Sequence, residues 1–130
     1  QEFLRPRVVR FGAPAIVAGG RGRGAGNNQL RQPAGICVRD GARPGEWMLY
    51  ICDAGNHRVV RWCTGATTGA LVAGSGDGLP GSGHGDLHWP SSCDFGVAGT
   101  LYIADTYNSR IVEWLPHAKV GRPLLATNYL

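Results

Sequence analysis

The sequence predicts an all-β protein assembled from a repeated four-stranded unit, with essentially no helix. Three observations predict it. The chain aligns with itself: CDAGNHRVVRW at 52–62 returns as ADTYNSRIVEW at 104–114. Its apolar residues come in short runs rich in Val, Ile, Leu and aromatics, bounded by Gly, Asn, Asp or Pro, which is strand chemistry. Glycine fills 21 of 130 positions without a collagen period, so the chain has many turn-forming sites. No stretch of ten or more residues carries an apolar stripe of helical period.

The elements follow in order. RVVRF (7–11) and AIVAG (15–19) read as two closing strands of a preceding unit. The first full unit holds GICV (35–38), MLYIC (48–52), RVVRW (58–62) and ALVAG (70–74). The second holds SCDF (92–95), TLYIA (100–104), RIVEW (110–114) and PLLA (123–126). The offset between copies is 57 at the proline but 52 at LYI, because RDGARPGEW (39–47) is five residues longer than GVAG (96–99). Strands keep their pattern while surface loops vary. Four strands per repeat of about 50 residues is the spacing of a β-propeller blade. The organisation expected is 1–20 as the end of one blade, 21–75 as blade one, 76–127 as blade two and 128–130 as a tail, all one propeller fragment.

PAGICV followed by LYICDAGNHRVVRW, and LYIADTYNSRIVEW in the second copy, resemble the NHL repeat. That family's pattern is P-x-G-I-A-V-D, then L-Y-V-A-D-x-x-N-H-R-I. The match covers about residues 7–126. It is most specific in the D-x-x-N-x-R turn, and SSCDF departs from the Gly-Ile pattern of the innermost strand. The resemblance implies a propeller, commonly six-bladed, that mostly binds proteins or RNA; some related propellers are enzymes. Two and a half blades cannot close a ring of about four to eight. The remaining blades are expected from a longer parent chain, another copy or a partner. QEFLRPRVVRF has neither an initiator Met nor the apolar core of a signal peptide, as a processed product or fragment would.

The repeat decides how the polar residues are read. Asp53, His57 and Arg58 lie close enough in sequence to suggest acid–base chemistry, with His57 as base. The second copy keeps Asp105, Asn108 and Arg110 in place of Asp53, Asn56 and Arg58, but has Ser109 where His57 stands. A turn that persists while its histidine varies is architectural: Asp and Asn stabilise tight turns, and Arg reaches neighbouring oxygens. Trp62, Trp114 and Phe11 are expected to pack between blades.

Other motifs are weaker. GDGLPG (76–81) fits a glycine-rich nucleotide fingerprint, but Pro80 and the Gly-Ser-Gly that follows oppose the helix such a site needs. His84, Asp86 and His88 are weak candidates for a metal, lying in a glycine-rich loop without a further ligand. No cofactor is expected. Residues 1–62 carry ten Arg against four acids, so a basic face is expected. Arg21 and Arg23 in GGRGRGAGNN, with His57 and Arg58, could form one patch for an acidic partner or RNA. Cys37, Cys52, Cys63 and Cys93 lack zinc-type CxxC spacing and read as small buried hydrophobes; a Cys37–Cys52 bridge between adjacent strands is the alternative. No apolar run is long enough to span a membrane. The function expected is a non-catalytic binding or scaffold module for protein–protein interaction. The alternatives are an RNA-binding propeller and a fragment of a propeller lyase or hydrolase.

Overall fold

The computed structural model describes residues 15–124. The fold is all-β: two four-stranded antiparallel sheets, each a meander in sequence order. The first contains β1 (Pro33–Asp40), β2 (Trp47–Asp53), β3 (Arg58–Cys63) and β4 (Ala70–Ala73). The second contains β5 (Pro90–Phe95), β6 (Leu101–Asp105), β7 (Arg110–Trp114) and β8 (Arg122–Pro123). Helical residues among those described form three single 3-10 turns, at Ala54–Asn56, Val97–Gly99 and Thr106–Asn108. Among the described residues no helix is long and apolar enough to cross a membrane.

Two expected strands differ. Residues 15–19 are in no strand among the described residues, and the expected strand RVVRF and Phe11 lie outside them. The last strand is Arg122–Pro123, with 125–126 and the tail outside the described residues.

The registers of the two sheets correspond. Asp53 opposes Pro33 as Asp105 opposes Pro90, and a bulge follows each proline. Ile36 opposes Ile51, and Cys93 opposes Ile103. Cys93 therefore occupies the Ile36 position, while Cys37, opposite Tyr50, corresponds to Asp94, opposite Tyr102. Strand side chains alternate between faces. Cys37 and Cys93 consequently lie on opposite faces of their own sheets, and those two faces meet.

The main core forms between the sheets. Tyr50, Cys52, Val59 and Ala73 of the first sheet pack with Leu101, Ile103, Val112 and Trp114 of the second, and with Leu87 from the loop before β5. Burying an aliphatic side chain of this size contributes about 1.5–3 kcal/mol. A smaller cluster of Ile51, Val60 and Trp62 lies on the other face of the first sheet, partly covered by Ala18 and Leu30. Ile36, Val38 and Leu71 on that face stay 59%, 54% and 51% exposed. The outer face of the second sheet is more polar: Glu113 pairs with Arg122 at 2.7 Å and accepts a bond from the Tyr102 hydroxyl.

Candidate functional site

The D-x-x-N-x-R segment forms a clamp at the β2–β3 corner. Asp53 ends β2, the next three residues make a 3-10 turn, and His57 reverses the chain in the left-handed region at φ 53°. The fully buried Asp53 carboxylate collects three donors. Its Oδ1 accepts the Arg31 backbone N–H at 2.7 Å, and its Oδ2 accepts Asn56 Nδ2 and Arg58 Nε at 2.8 Å each. Asn56 also donates to the Gly24 carbonyl. Arg58 spends its remaining nitrogens on the carbonyls of Ala25, Gly26 and Gln29. The carboxylate offsets the buried guanidinium charge, and main-chain oxygens accept three of its other four N–H groups.

The second copy repeats this bond for bond. Asp105 accepts the His88 N–H, Asn108 Nδ2 and Arg110 Nε. Asn108 donates to the Gly81 carbonyl, and Arg110 to those of Ser82, Gly83 and Asp86. Ser109 takes the left-handed position at φ 51°. The indoles repeat as well: Trp62 and Trp114 each donate Nε1–H to the carbonyl four residues on, in Ala66 and Ala118.

This geometry corrects the basic face expected from the sequence. Arg58 is 6% exposed, each of its guanidinium nitrogens donates within the protein and its charge is paired with Asp53, so it is not part of an exposed basic face. Arg21 and Arg23 remain exposed. His57, the residue the repeat does not require, is also engaged: its Nδ1 accepts the backbone N–H of Trp89 at 3.0 Å, joining the first sheet's corner to the entry of the second. An accepting Nδ1 is unprotonated, so the ring is neutral in this arrangement. Burial, then the neighbouring His88, lower the His57 pKa from its ordinary value.

The candidate metal residues serve separate purposes. The Asp86 carboxylate accepts the Gly83 N–H, while its carbonyl is held by Arg110. The exposed His84 accepts a bond from Gly121 at its backbone oxygen. The His88 ring packs edge-on against His57 and Tyr107. Among the described residues no group of three His, Cys, Asp or Glu side chains is placed to hold a metal. Gly76–Gly81 is a loop, and the residues from it to β5 form no helix.

Three features escaped the sequence reading. Trp89 stacks on Tyr107 with ring centroids 5.7 Å apart, completing an aromatic cluster with His57 and His88. Trp89 sits in the left-handed region at φ 62°, which no motif signals for a tryptophan. A cleft of about 790 Å³ between the sheets is lined in part by Arg39, Arg61, Phe95, Trp114 and Lys119, and Arg61 Nε is buried beside it without a partner. Finally, Cys37 Sγ lies 2.8 Å from Cys93 Sγ; all four cysteines are free thiols. No protein-family model matches the chain, and no curated protein matches it at a significant level.

Proposed function

We propose that the chain is an arc of an NHL-type β-propeller and works as a non-catalytic scaffold docked to further blades or to a protein partner. One observation carries this reading: on the outer face of the first sheet the apolar Ile36, Val38 and Leu71 are exposed among the described residues. Ile36 and Val38 hold the same register positions as Cys93 and Phe95, which are packed against the core between the sheets. The outer face of the first sheet is thus a second copy of a surface that is covered elsewhere in the chain. A contact in which one face of a unit meets the opposite face of the next is heterologous and continues until a ring closes. Exposed apolar patches of this kind favour association. The engagement of Arg58 by its own loop weakens the RNA alternative, which counted on that charge.

Sedimentation of the chain across a concentration series tests the proposal. Self-association or capture of a partner is expected, and replacing Ile36 and Val38 together with Glu should abolish it. A monomer that stays compact at every concentration, with the same behaviour in the Ile36→Glu/Val38→Glu variant, would overturn the reading.

A further inference from the structure

We infer that Cys37 and Cys93 are an oxidisable pair whose disulfide cross-links β1 to β5 and so locks the two sheets together. The two sulfurs approach to 2.8 Å although 56 residues separate them in sequence. A disulfide bond of about 2.05 Å requires only a small further approach. Main-chain geometry brings the strands this close. Gly35, two residues before Cys37, faces Ser91, two residues before Cys93; a Cβ added there would meet the Ser91 oxygen at 2.6 Å. Cys93 also lies against the backbone of the other sheet, with its Sγ 3.9 Å from the Tyr50 carbonyl.

The other thiols are less suited. Cys37 opposes Tyr50, while Cys52 opposes Gly35, so Cys37 and Cys52 are diagonal neighbours. Diagonal positions stand about 7–8 Å apart, beyond ordinary disulfide reach. Cys52 has no solvent-exposed surface from which to meet a reagent. Cys63 lies at the end of β3, opposite Met48.

The oxidant is a small-molecule disulfide. One protein thiol loses its proton and, as thiolate, attacks a sulfur of the reagent, displacing one reagent thiolate and leaving a mixed disulfide. The second protein sulfur, once deprotonated, displaces the other reagent thiolate and closes the Cys37–Cys93 bond. The protein pair gives up two electrons and two protons; the reagent disulfide takes them up as two thiols. The hydrogen bond to Cys93, and then burial, push the Cys37 thiol far above its ordinary range. For Cys93 the bond from Cys37 acts downward, but contact with Cys52 and burial outweigh it and raise the thiol to about 12. Both sulfurs are therefore protonated at neutral pH, and exchange is expected to run faster in alkaline buffer.

The test incubates the folded chain with oxidised glutathione, quenches it with an alkylating reagent and maps the peptides. The expected product has lost two hydrogens and joins the Cys37 peptide to the Cys93 peptide. Its Tm should rise by at least about 5 °C, because the bond closes a long loop. The cross-link should persist in Cys52→Ala and Cys63→Ser and vanish in Cys37→Ser. A map joining other cysteines, a glutathione adduct that never resolves, or a folded protein that stays reduced while its urea-unfolded form oxidises would each overturn the inference. The wild-type map decides the matter even if a variant fails to fold.

Discussion

Replacing Asp53 with Ala removes the acceptor on which the first clamp converges. Three donors lose their partner: the Arg31 N–H, Asn56 Nδ2 and the charged Arg58 Nε. Each neutral bond contributes about 1 kcal/mol net, and leaving a buried charge uncompensated costs about 3–5 kcal/mol. Arg58 keeps three carbonyls, which tempers the loss. The expected destabilisation is about 4 kcal/mol, a large share of the 5–15 kcal/mol that holds a domain of this size. In urea, followed by the fluorescence of the buried Trp62 and Trp114, the midpoint should fall by about 2 M. Arg58→Met should cost a similar amount, since it strands the Asp53 carboxylate. The double variant should fall well short of the sum, with a coupling of about 2 kcal/mol or more. Additivity within about 0.5 kcal/mol would show that the two side chains do not act as one unit, and the clamp argument would fail. The pair in the second copy is less enclosed, with the Arg110 side chain 15% exposed against 8% for Arg58, so Asp105→Ala should cost less.

Two further outcomes can be measured on the same chain. The folded His57 pKa lies below its unfolded value of 6.5, so the unfolded state binds the proton more readily. The contribution is intact above pH 6.5 and is lost as pH falls from there through the folded pKa; His57→Asn, which tolerates the left-handed turn, should flatten that acid-side decline in Tm, and an unchanged slope would refute the assignment. Gly35→Ala should cost about 3 kcal/mol, because its methyl group meets the Ser91 backbone rather than a movable side chain. Gly45→Ala, at φ 84° with nothing nearby, should cost only the left-handed strain of about 1–2 kcal/mol; equal or reversed costs measured by urea titration would contradict the close approach of β1 and β5.

The strands were legible because their signal is local: apolar runs between turn residues mark them, and the repeat supplies an internal check. The substitution of Ser109 for His57 already marked the D-x-x-N-x-R turn as architectural. The limits were tertiary. Arg58 looked available for a charged surface because a sequence does not show that three carbonyls of a distant loop surround its guanidinium. The Trp89 amide reaches His57 through a left-handed backbone that tryptophan rarely adopts. The alignment of GICV with SCDF already set Cys37 and Cys93 at different positions of the two copies, but it did not show that the faces carrying them meet, and a bridge to Cys52 was the pairing that adjacency suggested.

On the loops they hold, the two arginines grip main-chain oxygens. Arg58 holds carbonyls at 25, 26 and 29, and Arg110 holds those at 82, 83 and 86, with the same spacing under two loops of different sequence. Every residue type supplies a carbonyl, so the grip is indifferent to which side chains the loop carries. Anchorage and identity are thereby uncoupled. Outward-pointing side chains such as Arg23 and His84 are free to change in charge or size from unit to unit while the loop's path is kept. The scaffold can therefore present new surface chemistry at these loops without redesigning the sheets beneath them.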